Sequence, residues 1–168
     1  MQTFLAYISF VKSIDCLDYR RHGNQRSEAR GIYGILTGFK NTGHSKAQQE
    51  FLLRRYSNHP AVLMWKGYEK QLALYHDIAI ALWIKKKYNN NMTPLFYKCS
   101  SDDLGRSHSS NYSVIQHKLG NPYWLTEEFC SRHRSNLLRK KPEFYKKYGW
   151  SEPNNLPYLW PTKEKNYG

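Results

Sequence analysis

Val11, Ile14, Asp18, Arg21, Gln25, Glu28, Ile32 and Ile35 follow one another at alternating steps of three and four. On a regular helix such positions share one face. Both ends of the stripe are apolar, as an inward face requires. Its middle holds two acids, an arginine and an amide. Buried ionic groups are costly unless they are paired or used. A carboxylate framed by apolar neighbours has its pKa raised, which suits it to proton transfer. Two readings therefore stand side by side. Either Arg21 bridges Asp18 and Glu28 in a structural ion-pair network, or the stripe lines a catalytic cleft. A helix break at Gly23 would scramble the face and weaken both. Arg26 and Arg30 lie nearly opposite Glu28, four residues apart. They are placed to meet phosphates or to form an ordinary solvated face.

A second constellation lies near the C-terminus. From Arg132 to Lys147 there are seven Lys or Arg residues and one acid, Glu143. Phe144, Tyr145, Tyr148 and Trp150 stand among or just after them. Basic groups can fix nucleic acid by its phosphates while aromatic faces stack on bases. The bland alternative is a basic helix beside a core-packed aromatic cluster. His133 by itself reads as a packing or capping residue. Ser135 and Asn136 face either DNA or solvent.

The bulk composition agrees with a polyanionic partner. Lys plus Arg number 26 against 13 Asp plus Glu, a formal charge of +13. Neutralising phosphates releases condensed counterions, so such an excess favours nucleic acid first and an anionic membrane surface second. Fourteen tyrosines and five tryptophans favour the first. The longest apolar run, Ile78 to Ile84, is far short of the ~20 residues that span a bilayer, and no secretory leader is legible. Cys16, Cys99 and Cys130 form no CxxC pair, so neither a disulfide framework nor a zinc site is expected. A reducing cytoplasm is the expected compartment.

The elements that must position these residues are mostly helical. A helix is expected over residues 9–36 with Ser9 as N-cap, a loop over 37–49, and a short helix from Gln48 to Tyr56. Asn58-His59-Pro60 reads as a start signal for a long helix running to about Tyr88. Its apolar residues Met64, Tyr68, Leu72, Tyr75, Ala79 and Leu82 keep the helical period. Asn89 to Ser113 reads as a polar loop. A last helix begins after Thr126, with Glu127 and Glu128 in its first turn, and ends at Pro142. Beyond Trp150 a Pro-rich segment is expected to lie extended on the surface. No alternating strand pattern stands out. The whole of 1–168 reads as one all-α domain, a compact helical bundle with long loops, expected to be a monomer.

Three blocks in order resemble the phage-type pyrimidine-dimer DNA glycosylases, the endonuclease V-type glycosylase/AP lyases. The first is Met1 to Leu5 followed by Leu17-Asp18-Tyr19-Arg20-Arg21-His22-Gly23-Asn24-Gln25-Arg26-Ser27-Glu28. The second is Asn58 to Glu69. The third runs from His133 to Leu138 and from Lys141 to Trp150. The resemblance implies a compact α-helical domain that cuts the N-glycosidic bond of a damaged pyrimidine in double-stranded DNA. It implies that the N-terminal α-amine attacks the sugar carbon and that a first-helix glutamate, here Glu28, assists. The basic residue one heptad before it would be Arg21, and Gln25 of the polar stripe joins Met1, Glu28 and Arg21 as a catalytic candidate. An imine then permits strand cleavage by β-elimination, with no cofactor and no metal. DNA contacts implied or suggested by the blocks are Arg20, His22, Arg26 and Arg30 in the first region. In the last region they are His133, Arg134, Asn136, Arg139, Phe144, Tyr145, Lys146 and Tyr148.

An ordinary α-amine titrates more than two pH units below lysine, so more of it is a neutral nucleophile near pH 7. One departure from the family pattern concerns that amine. The founding enzymes expose threonine after methionine removal, whereas Gln2 is a poor second residue for methionine aminopeptidase. Met1 is therefore expected to stay, with its side chain accommodated beside the amine. Two other outcomes remain open from the residues alone: a monofunctional glycosylase that activates water at another modified base, and a non-catalytic DNA-binding protein. A metal-dependent nuclease would want clustered carboxylates, and the thirteen acids are scattered.

Overall fold

The computed structural model describes residues 1–96 and 109–161. Among them the regular elements are all helical. They are α1 (Phe10–Asp15), α2 (Tyr19–Thr37), α3 (Lys46–Tyr56), α4 (Pro60–Leu63), α5 (Glu69–Lys85), α6 (Ser109–Leu119), α7 (Glu127–Lys140) and α8 (Pro142–Tyr145), then a 3₁₀ turn at Lys146–Tyr148. The all-α expectation holds.

Helix α5 is the axis of the core. From Leu72 to Trp83 every residue is buried, so it is enclosed on all sides rather than amphipathic. Helices α1, α2 and α6 pack around it, with α2 making the largest contact. Phe10, Ile14, Ile32, Leu72, Tyr75 and Ile78 are fully enclosed. Each such apolar side chain contributes roughly 1.5–3 kcal/mol against exposure.

The expected helix over 9–36 is two helices, and the break falls at Cys16–Asp18 instead of Gly23. The cause is Asp18. Its backbone is extended and its carboxylate accepts from Arg21 N, so it caps α2 rather than riding within a longer helix. Gly23 stays helical, and its missing Cβ lets the Trp83 ring come close: a Cβ there would stand 3.2 Å from Cη2. The expected helix from Pro60 to Tyr88 is also divided. Helix α4 ends after one turn, and Gly67 at φ 88° turns the chain before α5 begins. His59, not Asn58, is the N-cap of α4, accepting from Ala61 N at 3.1 Å.

Helix α6 begins at Ser109, inside the expected Asn89–Ser113 loop, of which residues 97–108 lie outside those described. Its inward positions Tyr112, Ile115, Gln116 and Leu119 do keep a helical period, but one of the four is an amide. Thr126 caps α7 and Pro142 ends it, both as the sequence predicts. Residues 151–161 carry no helix and run across α7. Ser135 and Asn136 of α7 hydrogen-bond the backbone of Pro153 and Leu156 there. The remaining residues of that tail, 162–168, lie outside those described. No helix among the described residues is long and apolar enough to cross a membrane.

Candidate active site

The N-terminal segment, residues 1–9, is irregular and yet lies in the core, with Thr3, Phe4, Leu5 and Ala6 buried. Buried backbone polar groups need partners. Here side chains from several helices supply them. Gln2 N donates to Glu28 Oε2, and Gln25 Nε2 donates to Gln2 O at 3.1 Å. Phe4 N donates to Gln25 Oε1 at 2.8 Å. The Tyr75 hydroxyl lies 2.8 Å from Phe4 O and 2.7 Å from Gln25 Oε1 and donates its one proton to either. Leu5 N donates to His133 Nδ1 at 3.3 Å, and Arg134 Nη1 donates to Ala6 O at 2.8 Å. Trp65 Nε1 donates to Thr3 Oγ1 at 3.0 Å. The segment is thus held residue by residue, and its first residue emerges beside Glu28.

Met1 and Glu28 together border two cavities. One, of about 710 Å³, is lined by Arg20, Arg21, Asn24, His59, Lys140, Lys141, Glu143, Tyr158 and Trp160 among others. The other, of about 400 Å³, lies between α2 and α3 and is lined by Gly31, His44, Gln48, Phe51, Leu52 and Tyr56. The Met1 side chain occupies the edge of the second. Its Cε would be 3.3 Å from a Cβ on Gly31, and Leu52 would be 3.7 Å away. Glycine at 31 therefore makes the seat for the thioether.

Burial raises the Glu28 pKa above the usual glutamate range. The Gln2 N–H, the N-terminal ammonium and Lys140 each oppose that rise. The ammonium is thus near enough to act on Glu28, and it acts on His59 as well. Burial lowers the His59 pKa first, and the ammonium lowers it further.

The polar stripe serves three separate ends. Arg21 pairs with Asp18 at 2.6 Å and does not bridge to Glu28. Tyr145 OH donates to the same Asp18 oxygen at 2.7 Å. Burial alone would raise the Asp18 pKa; the bonds from Arg21 and Tyr145 outweigh it and hold the carboxyl below its usual range. Gln25 is buried and holds the N-terminal segment. Asp18 and Arg21 line the larger cavity as a pair, and Glu28 borders both cavities.

Six residues expected to contact DNA are buried and bonded within the protein. His22 donates from Nε2 to Ala79 O at 2.9 Å, and burial lowers its pKa to about 4. Arg30 is spent on Thr42 O at 2.6 Å and on Thr93 O. His133 is fully enclosed, stacks on Phe129 at 4.4 Å, and is lowered by burial to about 3. Arg134 pairs with Glu127 and Glu152, and Asn136 with the backbone of Arg132 and Leu156. Tyr145 is buried on Asp18. Arg20, Arg139 and Lys146 are exposed; Arg26, Phe144 and Tyr148 are half-buried. Arg26 lies with its guanidinium 4.1 Å from the Trp83 ring centre. Lys147 Nζ sits 3.9 Å from the Phe144 ring centre. Lys140, Lys141, His59, Tyr158 and Trp160 reach the larger cavity without having been singled out for it. The aromatic pair at 158 and 160, set in a Pro-rich tail, was the available signal.

Among the described residues no three His, Cys, Asp or Glu side chains form a metal-sized group. Cys16 and Cys130 are free and buried, and burial pushes both thiols up to about 12. Cys99 lies outside the described residues.

Residues 1–94, more than half of the chain, match the model of one protein family, described as pyrimidine dimer DNA glycosylase. The chain belongs to the pyrimidine dimer DNA glycosylase family. The match takes in the N-terminal segment, α2 with Glu28, and the His59 turn; the basic stretch after Arg132 lies outside it. No curated protein and no solved structure compared with the chain matches it. Membership of the family makes DNA the substrate and N-glycosidic cleavage the reaction class.

Proposed function

We propose that the protein excises a pyrimidine of a pyrimidine dimer in double-stranded DNA, with the Met1 α-amine as nucleophile and Glu28 as the proton carrier. One observation carries this reading. A half-buried carboxylate of raised pKa stands beside the chain's amino terminus in the lining of a cavity of about 710 Å³ that Arg20, Arg21, Lys140 and Lys141 also line. Basic rims hold phosphates, and excision requires the sugar to be drawn out of the stack toward the reacting groups.

In the proposed reaction the neutral amine forms a bond to C1′ while the C1′–N1 bond breaks. The electron pair leaves with the pyrimidine, which takes up a proton. The amine then gives up its proton, and Glu28 passes one to the ring oxygen as the sugar opens to an imine. Loss of a C2′ proton expels the 3′ phosphate and cuts the strand, and water frees the enzyme. Glu28 suits both directions of transfer because burial brings its pKa toward neutrality. Gln2 N–H and Gln25 hold the segment that bears the amine, so the two reacting groups arrive already oriented.

Borohydride trapping on DNA carrying a cyclobutane dimer or an abasic site tests the proposal. The expected result is a covalent adduct from wild type, lost when the N-terminus is blocked, with intact mass identifying the residue at the amine. Alkali-labile sites without an adduct would replace the amine by water activated at Glu28. No adduct and no alkali-labile site on dimer DNA would overturn the catalytic assignment.

A further inference from the structure

Tyr19, the first residue of α2, is 61% exposed. Its ring is nevertheless held in place. It stacks on Trp83 at 5.1 Å between centroids with a 29° tilt, and meets Tyr88 edge-on at 4.8 Å. Trp83 is anchored in turn, against Gly23, by the Arg26 guanidinium, and by a bond from Nε1 to Asn89 O at 2.8 Å. Lys87 takes φ 61°, which turns the chain so that Tyr88 returns to Trp83, its N–H on Trp83 O at 3.2 Å. An aromatic left this open gains little for folding, yet it is preorganised as a surface.

Among the described residues the charge beside it is basic. Arg20 and Lys87, the neighbour of Tyr88 in the chain, are exposed, and neither forms an ion pair with a described residue. Asp15, the acid on this side, is taken by Lys86 at 3.3 Å. Arg20 follows Tyr19 in the chain and also lines the larger cavity, so the patch continues the rim of the candidate active site.

We propose that Tyr19 on its Trp83–Tyr88 support is a second DNA contact, where a base unstacked beside the lesion lies on the Tyr19 ring while Arg20 and Lys87 hold the adjoining phosphates. The proposal rests on DNA as substrate and not on amine chemistry. Base–aromatic stacking tolerates any base, as a flanking position requires. A ring already clamped loses little freedom on binding.

Binding is measured with a dimer-containing duplex that carries 2-aminopurine next to the lesion. Wild type is expected to change the 2-aminopurine emission on binding. Tyr19→Ala should lose that change and weaken binding about tenfold, and Tyr19→Phe should restore both. Lys87→Ala should lower the slope of log affinity against log salt by about 1. Lys87 is exposed, so this variant decides the phosphate contact even if Tyr19→Ala melts early. Wild-type affinity, emission and salt slope in these variants would overturn the proposal. So would an equal loss on undamaged duplex with the emission change intact. Failure of borohydride trapping in wild type leaves these binding readouts standing, so the two proposals fail separately.

Discussion

Glu28 and Gly31 stand three residues apart on α2 and define the two sides of the Met1 position. Burial raises the Glu28 pKa, so the native state binds this proton more tightly than the unfolded chain does. The resulting penalty is absent below the ordinary glutamate value and grows as pH rises through the raised one. Glu28→Gln keeps an acceptor for Gln2 N–H and removes that penalty. It should therefore melt higher than wild type at pH 7 and alike below pH 4, as a pair of thermal melts would read. Under the proposed function the same variant loses about 10²- to 10⁴-fold in single-turnover rate while still binding dimer DNA. Gly31→Val places carbon where the Met1 thioether rests. The expected outcome is a slower adduct-forming step with little change in DNA affinity; an unchanged trapping rate would show that the seat does not orient the amine.

At the scale of elements, the N-terminal segment behaves as an inner strut bonded by side chains instead of a sheet. Gln25 carries the most of it, meeting Gln2 O, Phe4 N and the Tyr75 hydroxyl. Gln25→Ala takes the side-chain partner from Gln2 O and Phe4 N, while the Tyr75 hydroxyl keeps Phe4 O, at about 1–3 kcal/mol for each group left unsatisfied. Denaturant unfolding should therefore show a loss of roughly 2–4 kcal/mol, partial pairing of the freed groups with water offsetting the rest. Because the strut bears the amine, kcat should fall more than KM rises. A second tie joins α8 to the start of α2 through Tyr145 and Asp18, so the basic C-terminal stretch is docked by its buried tyrosine and presents Lys146 outward.

For the whole molecule, the enclosed histidines set a pH dependence. The His22 pKa is lowered to about 4 and that of His133 to about 3, in each case chiefly by burial. The unfolded chain takes up protons at these sites near pH 6.5, where the native state does not. Stability is therefore fully present above that value and lost as pH falls toward the two lowered ones. Each histidine contributes up to about 1.4 kcal/mol per pH unit in that window. Melting temperature should fall steadily from pH 7 to pH 4.5; a flat profile would contradict the buried, neutral assignment. The +13 charge belongs to the same scale, since exposed lysines and arginines are spread over α2, α5 and α7.

The stripe from Val11 to Ile35 was legible because helical period and apolar flanks are local properties of a chain. The same holds for the Thr126 cap, the Pro142 stop and the charge excess. What the stripe's polar members do was not legible, because it depends on what faces them. Asp18 capped α2 and broke the expected longer helix, and Arg21 on the first turn paired with it. Gln25 met the N-terminal segment, a partner more than twenty residues away that no helical pattern encodes. His22, Arg30, His133, Arg134 and Asn136 read as DNA contacts in one dimension because polar residues are usually exposed. Packing against α5 enclosed His22 and Arg30, and packing of α7 against the N-terminal segment and residues 151–161 enclosed the other three. By itself the sequence determined an all-α, strongly basic chain with an inward carboxylate at 28. Only the tertiary structure brought residue 1 beside that carboxylate, because a buried backbone segment must find its hydrogen-bond partners in whichever helices enclose it.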